Sequence, residues 1–160
     1  MSKIKELLNS DDSVLVFDID GVLAIMEFGF HNHFMDDDEW NDMVSKNINT
    51  YTEDKVSKTM QRFLSTRNMN KVYVVTKINE DNEIIQKKEY ANKYYKILKE
   101  NVYCVKNDSD KVNELLRIKD KYKELPDENL IMIDDTVEIL NDIMENTNFS
   151  TAHISSFLDM

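Results

Sequence analysis

Short apolar runs alternate along this chain with longer segments whose apolar residues recur at helical spacing, the pattern of repeated strand-helix units around a parallel sheet. The runs predict strands at Val14 to Phe17, Val72 to Val75, Val102 to Val105 and Leu130 to Ile133, with a weaker one at Thr151 to Ser155. Apolar runs without polar alternation are those of strands covered on both faces. Between them, Val56, Met60, Phe63 and Leu64 form one helical stripe, and Ile84, Ile85, Tyr90, Ala91, Tyr94 and Ile97 form a second. Val112, Leu115 and Leu116 form a third. A fourth helix follows Asp135, which has capping-box spacing to Glu138 ahead of Leu140, Ile143 and Met144. The run Asp36 to Glu39 opens a further helix, with acids at its positive end and Trp40 packing beneath it.

Composition sets the class. At 160 residues and 41% hydrophobic content, the chain has one well-cored domain and no room for two. Two glycines and one proline leave the turns to Asn, Asp and Ser. The formal charge of -11, with no lysine stripe, argues against a nucleic acid polymer as partner. No segment suits a bilayer, no secretory pattern opens the chain, and the single Cys104 sits in an apolar run as a core thiol, so no membrane and a cytoplasmic location are expected.

The chemistry gathers at the ends of the predicted strands, which a parallel sheet delivers to one edge. The first ends in Asp18-Ile19-Asp20-Gly21, the second in Thr76-Lys77, the third runs on to Lys106 and Lys111, and the fourth ends in Asp134-Asp135. Asp18 and Asp20, two apart on extended backbone, point to the same side, and a cation would relieve their repulsion. Two carboxylate pairs, a hydroxyl and an ammonium can together hold a magnesium ion and a phosphate. Lys111 falls off its apolar stripe in the first turn of its helix, where a cation meets the unfavourable end of the dipole, so a purely structural lysine fits poorly there. Lys106 is its competitor.

This ordered set resembles the haloacid dehalogenase-like superfamily, whose first motif, Asp-x-Asp-x-(Thr or Val) after an apolar strand, is matched by Asp18, Asp20 and Val22. Its second motif is matched by Thr76, its third by Lys111 and its fourth by Asp134-Asp135. The resemblance covers nearly the whole chain and implies a Rossmann-like three-layer α/β/α sandwich with a mostly parallel five-stranded sheet, residues 1–160 forming one domain and 25–70 a flap or small cap. It also implies roles: Asp18 as nucleophile, Asp20 as acid and base, Thr76 and Lys111 on the phosphate, Mg2+ on Asp18, the Asp20 carbonyl and Asp134, and Asp135 in support. Lys77 departs from the small or polar residue the family often places there, and either strengthens phosphate binding or blocks larger substrates.

Other features carry less. His31 and His33 lack further ligands at metal-site spacing, and the tyrosines at 90, 94 and 95 read as a packing face. Phe28, Phe30 and His31 fall in the stretch matching the family's flap and are candidates to touch substrate. With no room for a large cap, the site is expected to be open, which suits a small phosphorylated substrate, a phosphate terminus, or closure by a second subunit in a homo-oligomer. The expected function is a magnesium-dependent phosphohydrolase acting on a small phosphomonoester, with a nucleotide as one option. The alternative is a non-catalytic phosphate- or metal-binding module that binds a basic protein partner.

Overall fold

The computed structural model describes residues 3–25 and 37–158. In chain order the elements are α1 (Lys3–Asn9), β1 (Val14–Phe17), α2 (Asp37–Ser45), α3 (Lys58–Leu64), β2 (Val72–Lys77), α4 (Asn82–Tyr95), β3 (Val102–Val105), α5 (Lys111–Lys119), β4 (Leu130–Asp134), α6 (Val137–Asn146) and β5 (Ser150–His153), joined in part by short 3-10 turns. The five strands form one sheet in the order β3-β2-β1-β4-β5. Every pairing is parallel, with Phe17 beside Val74 on one side and Ile133 on the other. The fold is therefore a three-layer, Rossmann-like α/β arrangement, and its sheet is parallel throughout.

Alternation along each strand builds the layers. Leu15 and Phe17 of β1, with Val72 and Val74 of β2, face one core containing Leu8, Met60, Leu64, Tyr90, Ala91 and Tyr95 from α1, α3 and α4. Val14, Val16, Tyr73 and Val75 face the other, closed by Leu115, Ile118, Leu140 and Ile143 from α5 and α6. Both faces of the central strands are covered, which is why they read as unbroken apolar runs.

Two helical stripes differ from the sequence expectation. In α4 the buried face is Glu83, Lys87, Tyr90, Ala91 and Tyr95, while Ile85 is 68% exposed. In α5 it is Lys111, Leu115 and Ile118, while Leu116 is 49% exposed. In each case two adjacent apolar residues competed for one face, and a lysine that the apolar stripe leaves out, Lys87 in α4 and Lys111 in α5, lies on the buried face. The Asp135–Glu138 capping box is not formed either: Thr136 is the N-cap of α6 without a side-chain cap, and its amide donates back to Asp134 Oδ1 at 3.0 Å. Helix α1, two turns at most with Leu8 as its buried residue, is too short to show an apolar period in the sequence. Trp40 of α2 packs edge-on against Tyr51, with ring centroids 5.9 Å apart. Phe28, Phe30, His31, His33 and Asp36 lie outside the described residues.

Beyond the tip of β1, Gly21 takes a positive φ of 76° and the backbone doubles back, so that its amide bonds the Ala24 carbonyl at 3.0 Å. Ala24 then pairs antiparallel with Val56, tying the 25–70 segment to the end of β1. Tyr90 and Tyr95 of α4 hold the same loop, both donating to the Leu23 carbonyl. The tyrosine group is thus a packing face that also fixes the loop after the aspartates. Among the described residues, no helix is long and apolar enough to cross a membrane.

Candidate active site

Strand β1 is central, and the chain passes from it to β2 on one side and later to β4 on the other, so the strand order reverses beside its carboxyl end. A crevice at such a reversal is where open α/β sheets receive ligands. Here it is an open depression of about 640 Å³, lined by Asp18, Asp20, Gly21, Lys77, Asp108, Lys111 and Asp135 among others.

On its floor, Asp18 follows β1 directly, its amide bonded to the Ile133 carbonyl at 2.9 Å. Its side chain is 10% exposed, and Oδ1 makes no hydrogen bond, having only an ion-pair contact to Lys111 Nζ at 3.5 Å. Asp134 ends β4 and is wholly buried; its Oδ2 accepts from Lys111 Nζ at 2.9 Å. Lys111, 1% exposed, also lies 3.9 Å from Asp108 Oδ1. One cation thus faces three carboxylates. Burial works against its charge, but Asp18 and Asp134 outweigh it and raise its pKa, so it stays an ammonium.

The acids are short of compensation. Burial first, with the charges of Asp134 and Asp20 adding to it, pushes Asp18 up to about 6 against the pull of Lys111 and Lys87. Burial likewise raises Asp134 despite Lys111, and burial with the Asp18 charge raises Asp135. One carboxylate oxygen from each of Asp18, Asp134 and Asp135 lies within 4.8 Å of the others. An oxygen-only set with an unbonded buried oxygen is one that a hard divalent cation can satisfy. Asp135 thus stands in the trio itself. Glycine makes that approach available, because a Cβ at position 21 would sit 2.0 Å from Asp135 Oδ2. From β5, His153 Nε2 lies 3.0 Å from the Asp135 carbonyl, which can only accept, so this nitrogen carries the proton.

Asp20 belongs to a second network, which includes two residues that sequence reasoning missed. Lys87 of α4, 1% exposed, donates to Asp20 Oδ2 at 2.7 Å, to Thr76 Oγ1 at 3.0 Å and to the Lys77 carbonyl. The Tyr51 hydroxyl donates to Asp20 Oδ1 at 3.1 Å, and burial with the Asp20 charge raises its pKa, keeping the proton on it. A signal for Lys87 existed: it sits three before Tyr90 and four before Ala91, on the apolar face of its helix. Tyr51, alone in a polar stretch, carried none.

The sequence-predicted residues divide accordingly. Asp18, Lys111 and Asp134 meet directly, with Asp135 beside them, and Asp20 lines the same depression. Thr76 is fully buried and absent from the lining, and its hydroxyl receives Lys87. Lys77 lies on the rim, 3.4 Å from Asp108. Lys106 points elsewhere, to Asp81 at 2.7 Å, so it does not compete with Lys111. Cys104 is half-buried in β3 and burial raises its thiol pKa, as a packing residue should.

Compared with protein-family models and with curated protein sequences, the chain matches none.

Proposed function

We propose that this chain is a magnesium-dependent phosphohydrolase acting on a small phosphomonoester through an aspartyl-phosphate intermediate, in the manner of the haloacid dehalogenase-like superfamily that its motifs resemble. The observation that carries the reading is Asp18: a buried carboxylate on the floor of an open depression, with one oxygen free of hydrogen bonds and a lysine paired with its neighbour. A nucleophile needs that free lone pair. The depression has the volume of a small-molecule site.

Asp18 attacks phosphorus, forming the new P–O bond as the ester P–O bond breaks, and Asp20 gives the departing alkoxide its proton. Asp20 then takes a proton from water, whose oxygen attacks the aspartyl phosphate and frees Asp18. Lys111, fixed by Asp134, offsets the charge shared by nucleophile and phosphoryl group. Asp18, Asp134 and the Asp20 carbonyl would hold magnesium, with Asp135 at hand in the same trio. When bound, that ion supplies the positive charge that lets a phosphate dianion approach these acids. Lys77, which lines the depression, would meet an outer phosphate oxygen or limit substrate size.

Purified protein is screened against phosphorylated metabolites with magnesium and then with chelator, beside Asp18→Asn. Metal-dependent release of phosphate that the variant lacks supports the reading, and undiminished turnover in the variant refutes it. The acidic rim of Asp108, Glu138 and Asp142 favours a second reading, a non-catalytic module that binds a basic protein partner. It predicts magnesium binding with no turnover on any phosphate.

A further inference from the structure

Resting on the phosphohydrolase reading, we propose that Lys87 and Tyr51 are positioning residues that hold the Asp20 carboxylate in its working orientation and tie it to the end of β2. Lys87 lies on the core face of α4, where an ammonium is costly unless all its donors are used. Each of its three N–H groups has an acceptor: Asp20 Oδ2, Thr76 Oγ1 and the Lys77 carbonyl. A lysine that merely closed the end of β2 would need only the last two. The third goes to a carboxylate whose side chain is still 33% exposed and lines the depression. Asp20 is therefore gripped from behind while its open side faces the site.

The grip is two-sided. Tyr51 reaches the other oxygen from the 25–70 segment, and its ring is wedged between Trp40 and Tyr90, with centroids 5.9 Å and 5.6 Å away. Lys87 Nζ stands 5.5 Å from the centre of that same ring. The base of α4 is fixed in turn, because buried Glu83 accepts the amides of Asn79 and Glu80 in the loop after β2. Both carboxylate oxygens are thus held by donors on separate elements, which fixes the rotation of the side chain. An acid that must meet a leaving oxygen benefits most from such fixing, since small misplacements cost large factors in rate.

Positioning of a general acid predicts a dependence on the leaving group that a structural role does not. We would measure kcat and KM for p-nitrophenyl phosphate, whose leaving group departs without help, and for glycerol phosphate, whose alkoxide needs a proton. Lys87→Met should lower kcat/KM on the alkyl ester by about tenfold to a hundredfold, with a much smaller loss on the aryl ester, because kcat/KM reports phosphoryl transfer alone whereas kcat also contains the hydrolysis step in which Asp20 serves both esters. In an Asp20→Asn background the same change should add almost nothing. Tyr51→Phe, which keeps the ring contacts, should show the same bias at smaller size and carries the test should Lys87→Met fail to fold. Equal losses of kcat/KM on both esters, or a full further loss in the Asp20→Asn background, would overturn the assignment. A wild-type protein that hydrolyses neither ester would instead refute the phosphohydrolase reading and this role with it.

Discussion

Asp18→Asn should make the protein more stable at neutral pH, although the same change is expected to abolish turnover. Asp18 titrates at about 6 in the fold against 3.8 for an unperturbed aspartate, chiefly because it is buried. The folded state therefore binds its proton more tightly than the unfolded chain does, and protonation favours folding. Below about pH 4 both states carry the proton and nothing is lost; between about 4 and 6 stability falls as the pH rises, and above that the loss is complete. At about 1.4 kcal/mol for each unit of pKa, the cost of the ionised carboxylate is about 3 kcal/mol. Asparagine keeps the shape and removes the charge. Denaturant unfolding in chelator should accordingly show the variant about 3 kcal/mol more stable than wild type at pH 8, the two converging near pH 4. Magnesium should then stabilise the wild type and leave the variant unmoved, since a ligand that binds only the folded state raises its stability by mass action. A variant that is less stable at pH 8, or a difference that does not change with pH, would refute the picture of Asp18 as an undercompensated buried anion.

Other perturbations test neighbouring parts of the account. Lys111→Met strands Asp18 and Asp134 without their shared cation and should cost about 3–5 kcal/mol in denaturant unfolding, partly recovered by added magnesium. Gly21→Ala combines a positive φ with a Cβ placed on Asp135; it should cost about 1–2 kcal/mol and weaken magnesium affinity measured by calorimetry. Lys106→Ala, by contrast, removes an exposed pair with Asp81 remote from the depression, and should leave both the unfolding midpoint and phosphate release unchanged.

The parallel sheet was legible because burial on both faces imposes unbroken apolar runs, and the runs at Val14, Val72, Val102 and Leu130 each begin a strand. The meeting of Asp18, Lys111 and Asp134 was legible for a topological reason, since every parallel strand ends at the same edge. Lys111 betrayed itself by its place at the positive end of a helix. Lys87 offered an equivalent hint, a lysine on the apolar face of α4, but Ile84 and Ile85 masked it by supplying an aliphatic pair at the start of the same helix. Tyr51 was beyond reach, because its contact with Asp20 joins residues 31 apart in the chain and no local spacing links them. The Asp135–Glu138 capping box failed for the opposite reason: the local spacing was right, but Asp135 is engaged beside Gly21 and Asp134 takes the Thr136 amide.

The claim at the centre is that Asp18 carries the phosphoryl group. Rapid quench of the protein with a phosphate-labelled monoester and magnesium, followed by hydroxylamine trapping and peptide mass spectrometry, reads this directly. The account predicts an acyl adduct on the peptide holding Asp18, lost in Asp18→Asn and in chelator. Turnover of the ester with no adduct on that peptide would contradict it.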